Sequence, residues 1–543
     1  MGDEKQEAVI VTLPARDIQP VPKDFRFWTI IGVINLCYFL ALLEATSIST
    51  ALPTISSALH GNDFIWVGSA FNIAATAFMP MSGGLAQIFG RRPILLASLT
   101  MFGIGSLVCG VARSMNMLIA GRAVQGSGAA GLMSVSSIIL SDIVALKERG
   151  AYNGLLQLTW CIAAGIGPAI GGALARSGAW RWLFYLNLPL VGIAIVLTVM
   201  FLHLKSPRDH VWLKLRAMDW VGSFLIISSS VSVAIALTWA GLSFGWSSPQ
   251  VLVPLCVGLA GMVGFFVYEV RLCERPIVPL AAISNITSLS GYFQIFFAAV
   301  PFVALVFYLP VYFQACKGSS PLRSGIELFP LAFSVCPFSI FTGLSVTRTG
   351  RYRPQAWVGW VIIVLSMGLF GSVESTTRVS LVLGYQIIAG IGFGIVYSST
   401  YFPVLAPLPL TVAAHSLAFF AFVRQFAGIW SVTIGGAILQ NTIQTKLPSE
   451  FTAQFPGGAA VFYEVIAEID AVDEPLRSEV RAAFGDALKL TWLVLTGVSG
   501  LGLISSLVMR GLPLHTTTDK DWGVKEKSGE GEVGTSSSSD GAN

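Results

Sequence analysis

An all-α polytopic membrane protein with 14 transmembrane helices is the fold class that three observations predict. Of 543 residues, 54% are apolar and only 11% charged, with a mean hydropathy of +0.73, whereas a soluble domain carries about 25% charged residues. The apolar residues fall in stretches long enough to cross about 30 Å of hydrocarbon as helices of roughly 20 residues. Long polar stretches are confined to the first 25 residues, a segment at 441–487 and the tail from 511, which leaves no room for a separate enzymatic domain.

The polar N-terminus, opening Met1-Gly2-Asp3-Glu4-Lys5, is too long and too acidic for a secretory signal, so the first span at 28–50 is expected to be retained. Five more spans follow at 65–87, 94–112, 117–140, 153–175 and 181–203, completing a unit over 28–203. A linker over 204–289 carries spans at 219–241 and 250–270. The remaining spans, within a second unit over 290–509, lie at 290–313, 325–345, 355–373, 379–402, 412–438 and 488–509. Before the last of them the 441–487 loop is acidic, and its 459–485 pattern predicts one short surface helix. Segments 1–27 and 510–543 are expected to be disordered, the tail being rich in Gly, Ser and Glu with few apolar residues.

An even number of spans puts both termini on one side. Short loops on that side carry thirteen basic residues, among them Arg91, Arg92, Lys147, Arg149, Arg348 and Arg351, against six on the other. The positive-inside rule therefore predicts cytoplasmic termini, in the cell membrane or alternatively the vacuolar membrane. The net charge of +4 is scattered over loops and points to no nucleic-acid partner. Seven cysteines in or beside spans, with no CxxC spacing, read as small buried hydrophobes. Five scattered histidines give no metal site, nothing resembles a nucleotide-binding loop, and no cofactor is expected.

Charges inside spans need a reason, because insertion at the bilayer centre costs about 2.5 to 3.5 kcal/mol. Four stand out: Glu44 in the outer half of span 1, Arg122 near the start of span 4, Asp219 at the mouth of span 7 and Arg424 in span 13. If Glu44 and Arg122 face one cavity, the arginine favours the ionised carboxylate while apolar surroundings oppose it. A reversible proton site needs that competition, although a fixed polar contact also explains the pair. Asp219 fits a boundary residue as well as a proton site. Arg424 and Gln425, flanked by Phe420, Phe422, Phe426 and Trp430, either partner polar groups on neighbouring helices or line a substrate route.

Two glycine-rich runs complete the pattern. Gly83 to Arg92, with Gln87 and Gly90 between them, forms a tight turn after span 2 that sets Arg91 and Arg92 at the headgroup level. Gly165, Gly167, Pro168, Gly171 and Gly172 make span 5 either an ordinary close helix crossing with a proline kink or a pliable seam between bundles.

On these residues the chain resembles the major facilitator superfamily, in its fourteen-span drug:proton antiporter branch as found in fungi. Gly83 to Leu95 is similar to the signature between spans 2 and 3, and Arg122, Gln125, Gly126 and Gly128 to the span-4 signature, whose arginine the family implicates in proton transfer. The Gly165 to Gly172 run resembles the span-5 antiporter signature, and Trp180 to Pro189 the start of span 6 in that branch. Two departures stand out: Gln87 where members usually carry aspartate, and Glu44 where they usually carry a shorter acid. The resemblance implies two six-helix bundles with spans 7 and 8 inserted between them, rocking about a central cavity. Gln125, Gln425 and span-9 aromatics, including Tyr292, Phe296 and Phe297, are expected to line that cavity, with a lipid-facing position open for each aromatic. The implied function is proton-driven efflux of small, moderately apolar organic compounds such as drugs, toxins or secondary metabolites. A carrier of siderophores or other metal chelates is the rival within the superfamily, and a non-transporting sensor the remote one. Expected partners are protons, a small organic substrate and the bilayer, with a single chain as the working unit.

Overall fold

The computed structural model describes residues 23–59, 64–203, 218–240, 244–273, 276–278, 280–409, 412–452, 466, 469 and 472–514. These residues are helical, without a β-strand. Fourteen long helices carry the fold: α1 (Phe25–Leu59), α2 (Phe64–Phe89), α3 (Arg91–Gly110), α4 (Met115–Ile143), α5 (Leu146–Arg176), α6 (Trp182–Phe201), α7 (Trp220–Trp239), α8 (Pro249–Arg271), α9 (Ile286–Lys317), α10 (Phe329–Thr349), α11 (Arg353–Phe370), α12 (Val379–Ser399), α13 (Ala413–Lys446) and α14 (Leu476–Leu507). Thirteen are long and apolar enough to cross a membrane. The other, α2, is 26 residues long with no charged side chain and packs among them. Helices are the natural solution here, because hydrocarbon offers no partner for a free backbone N–H or C=O.

Local chemistry sets several helix boundaries. Between Tyr185 and Asn187, α6 is interrupted at Leu186. Pro189 has no N–H to give the Tyr185 carbonyl four residues earlier, so the ladder breaks there. At the other end of the chain, α13 and α14 reach well into the segment expected to be loop. Leu476 to Asp486 forms the first turns of α14, because Val480, Ala483, Phe484, Ala487 and Leu488 make one buried helical stripe. The short surface helix expected over 459–485 is therefore partly the start of α14, and the rest of it falls mostly outside the described residues. The expected disordered termini also lie mostly outside them. Where they are described, α1 already begins at Phe25, and Tyr352 binds the chain after α14 by donating to the Arg510 carbonyl at 2.6 Å and accepting from Leu512 N–H at 3.1 Å.

Helices α1–α6 pack on one another, as do α9–α14. The two groups repeat the same contacts. A Cβ at Gly126 of α4 would lie 2.3 Å from the Phe71 carbonyl oxygen of α2, and one at Gly128 would lie 2.5 Å from the Phe102 nitrogen of α3. In α12, a Cβ at Gly390 would lie 2.7 Å from the Leu331 carbonyl oxygen of α10 and one at Gly392 would lie 3.0 Å from the Ile363 nitrogen of α11. Such backbone approach is how helices bind in a bilayer, where the apolar effect between them is absent.

Two seams join the groups. One is α5 against α10, with Gly150 facing Gly343 and Gly154 facing Ile340; the other is α2 against α13, with Gly83 facing Ala414 and Ala418. All of these contacts lie toward the face that bears both termini. On the same side of α2, about three turns from Gly83, Asn72 is exposed. Helices α7 and α8 pair through Gly258 and Val233, and through Ser232 Oγ donating to the Pro254 carbonyl at 2.7 Å. α7 then lies along α2 and α13, with Trp66 set edge-on to Trp239 at 5.9 Å. The outward side of α8 (Val253, Val257, Val263, Val267) is exposed and apolar, as a lipid-facing surface must be. Five of the seven cysteines are buried as expected, but Cys256 is exposed on α8 and Cys273 half-buried beyond its end.

Candidate functional site

The centre of the first bundle holds a closed polar network in an apolar shell. Glu44 on α1 and Arg122 on α4 are 1% and 0% exposed and form an ion pair at 2.5 Å. Arg122 also donates through Nε to the Val67 carbonyl at 2.9 Å and through Nη1 to Gln125 Oε1 at 2.8 Å, with its guanidinium 4.4 Å from the centre of the Phe71 ring. Gln125 passes the chain on by donating to Ser106 Oγ at 2.8 Å, while Asn187, at the break in α6, donates to Glu44 Oε2 at 2.5 Å. Five helices thus join in one network around a carboxylate whose two oxygens have separate partners. Gln125, expected in the substrate cavity, is buried inside this network.

The α5 run meets the same place from the side. A Cβ on Gly167 would lie 2.1 Å from Thr46 Oγ1 and 3.3 Å from the Ser47 nitrogen. Thr46, two residues beyond Glu44, donates to the Ala163 carbonyl at 3.1 Å, just ahead of Pro168. Gly171 is buried as well. Gly165 lies in ordinary contact with Phe329 of α10, and Gly172 faces open space. The glycine run is therefore a seam to α1 within the bundle at Gly167, and it meets the other bundle at Gly165.

At the terminus-bearing face, Gly90 adopts φ 98°, a conformation that favours glycine, and turns α2 into α3. Arg91 is buried and not at the headgroup level. It donates to Asp142 at the end of α4 through Nε at 2.8 Å and Nη2 at 3.4 Å, and to the Ala86 carbonyl at 3.3 Å. Arg92 reaches the Val199 carbonyl at the end of α6 at 2.7 Å, and Gln87 is half-buried on the last turn of α2. Arg149, counted as a loop cation in the sequence, is buried and donates to the Val144 carbonyl at 2.7 Å and to the Ser141 carbonyl, satisfying the end of α4. His415 of α13 lies against Gly84, with Arg91 within electrostatic reach.

The other expected site residues are dispersed. Asp219 is the N-cap of α7, accepting from Gly222 N–H at 2.8 Å and from Tyr268 Oη at 3.1 Å, and has no part in the Glu44 network. Its ligand atom, with those of Glu269 and Cys273, lies in a group within 4.8 Å of one another; the spacing of the cysteines gave no sign of this. Tyr292 is buried between α9 and α13, donating to the Ser416 carbonyl at 3.2 Å. Phe297 stacks on the exposed Phe293, and Phe296 meets it edge-on. Arg424 and Gln425 are half-buried on α13, Arg424 within electrostatic reach of Tyr397.

Asn187, Ser106 and Asp142 were not singled out in the sequence. Asp142 follows an apolar run with Ser141 and gives the clearest signal, an acid at the end of a span opposite the basic pair.

Comparison with known proteins matches residues 34–432 to the family described as Major Facilitator Superfamily. Efflux pump FUS6 of Gibberella fujikuroi is 36% identical over 522 residues, covering 94% of this chain and 94% of the relative. MFS-type efflux pump LUC4 of a Fusarium species is 35% identical over 93% of this chain and 91% of its own. The acurin A biosynthesis cluster MFS-type transporter of Aspergillus aculeatus is 33% identical over 97% and 96%. Among solved structures, the proton:xylose symporter XylE aligns with a TM-score of 0.59 at 12% identity over 90% of this chain and 98% of its own, and human MFSD10, an organic anion transporter, with 0.56 at 14% over 89% and 100%. At those identities the structures speak to the fold alone.

Proposed function

This chain belongs to the major facilitator superfamily, and on that premise we propose that it is a proton-coupled exporter of small, moderately apolar organic compounds. The relatives are named as efflux pumps and as a transporter of a biosynthesis cluster, which favours secondary metabolites or toxins as cargo. The observation that carries the coupling is the carboxylate of Glu44, held by Arg122 and Asn187 away from bulk water. A proton arriving there cancels the charge that Arg122 grips. That loosens the ties between α1, α4 and α6, and the Thr46 contact beside them hands the change to α5. Helix α5 reaches the second bundle through Gly150 and Gly154, so protonation at one site bears on the seam that must open and close. Asp219 and Arg424 are assigned no proton role in this reading, Asp219 because it caps α7 outside the network.

Transport of a panel of labelled compounds in inside-out vesicles, with and without an imposed pH gradient, tests the function. Gradient-dependent accumulation of at least one apolar organic compound is expected. Gradient-independent movement, or movement of iron chelates alone, would refute it.

A further inference from the structure

Arg424 sits where the two bundles face each other. Tyr397, the residue of α12 within its electrostatic reach, packs against both apolar cores. Beside it, Phe302 of α9 lies 5.3 Å from Tyr397 and 5.2 Å from Trp160 of α5, an aromatic contact that crosses from one bundle to the other. One turn nearer the terminus-bearing face, Tyr401 meets Phe420 at 6.0 Å and comes within reach of Tyr38 and Arg149 of the first bundle. One turn the other way, Gly428 presents no side chain, and a Cβ there would meet only Val303 methyls, at 3.7 and 4.0 Å. Arg424 therefore lies on α13 between Phe420 and Gly428, half-buried and within electrostatic reach of the Tyr397 ring cluster.

Among the described residues this charge has no ion-pair partner. The buried acids among the described residues are engaged elsewhere, Glu44 with Arg122, Asp142 with Arg91, Glu327 with Arg323 and Glu269 with the Ile277 N–H, and Asp219 is a helix cap. Among the described residues, Arg424 forms no ion pair and donates no hydrogen bond, although it is half-buried on a spanning helix. A charge in such a place must face water or a ligand.

We propose that Arg424 is the anchoring cation of the substrate site, and that the cargo is an organic anion: a ring-bearing apolar body with one carboxylate or comparably acidic group. This rests on the export reading and narrows its cargo. A guanidinium offers two parallel N–H donors that match a carboxylate, while the rings of Trp160, Phe302 and Tyr397 take the apolar body. A neutral amide offers the guanidinium one uncharged acceptor and sets an NH2 against its other N–H, so the site disfavours it. With an interior-negative membrane, the potential favours both proton entry and anion exit, about 2.3 kcal/mol per charge per 100 mV.

The test uses the full chain in liposomes with 2-naphthylacetate and 2-naphthylacetamide, which differ in charge and hardly in shape. The acid should bind at least about tenfold more tightly than the amide, a factor equal to about 1.4 kcal/mol. Arg424→Gln should bring the two within about threefold while leaving the amide unchanged, and Arg424→Lys should keep part of the preference. Equal binding of the two probes, a preference that survives Arg424→Gln, or binding of neither overturns the proposal. Movement of labelled 2-naphthylacetate under a pH gradient is measured in parallel. Preferred binding without gradient-driven movement supports the anion site and counts against export, and movement of both probes without preference does the reverse.

Discussion

The contact between Gly150 and Gly343 offers the sharpest perturbation of the seam. A Cβ on residue 343 would lie 2.2 Å from the Gly150 carbonyl carbon and 2.4 Å from the Ala151 nitrogen, where carbon contacts are comfortable only from about 3.5 Å. The obstacle is backbone, so no rotamer relieves it, and Gly343→Ala forces α5 and α10 apart by about 1.3 Å, the difference between 3.5 and 2.2. Overpacking of this kind costs about 1 to 3 kcal/mol, which shifts a two-state equilibrium about 5- to 150-fold toward the arrangement in which this seam is open. The assay is disulfide trapping. Thr347 Oγ1 donates to the Lys147 carbonyl at 2.7 Å across the seam, so Lys147→Cys with Thr347→Cys should cross-link readily, and adding Gly343→Ala should cut both the cross-linking rate and gradient-driven transport. Gly172→Ala is the matched control, because nothing lies within 4 Å of that position. Unchanged cross-linking and transport in the Gly343→Ala protein, with the chain folded in the membrane, would refute the reasoning.

Other expectations bear on the remaining parts. Gly167→Val should press on Thr46 and Ser47 and lower export while leaving the protein in the membrane; normal transport would show that α5 need not touch α1 there. Arg91→Ala takes away the cation that meets the buried Asp142 carboxylate, a loss of about 3 to 5 kcal/mol, and adding Asp142→Ala should recover part of the lost thermal stability. Strict additivity of the two in a double-mutant cycle would count against the pair. In a background without the seven native cysteines, an impermeant thiol reagent on intact cells should label exposed Ser478→Cys and spare exposed Thr349→Cys, and the opposite pattern would invert the proposed orientation.

Helix number and order were legible because a bilayer demands long apolar helices and the chain separates them with polar turns. The opposed charges of Glu44 and Arg122 were also legible, since either alone in a span is costly. Their remaining partners were not: Asn187 faces Glu44 only because α6 breaks at Leu186 and lies beside α1, a matter of helix rotation and neighbour order that no local pattern carries. Arg91 looked like a headgroup anchor and Arg149 like a loop cation, because a cation at a span end usually snorkels. In the folded chain the α4 terminus supplies an acid and free carbonyls, and both arginines turn inward. The aromatics of α9 show the same limit, since a helix rich in phenylalanine does not say which side faces lipid, and Tyr292 proved to be packing while Phe293 is exposed.

The central claim is that Glu44 exchanges a proton for substrate, and proton movement on substrate addition to purified protein in liposomes tests it most directly. Glu44→Gln keeps the shape of the side chain and one of the two acceptor oxygens beside Arg122 and Asn187 but has no carboxylate to take up a proton. The account predicts that this protein still binds substrate yet neither moves protons with it nor accumulates it under a pH gradient. A Glu44→Gln protein that moves protons against substrate at the wild-type ratio would contradict it.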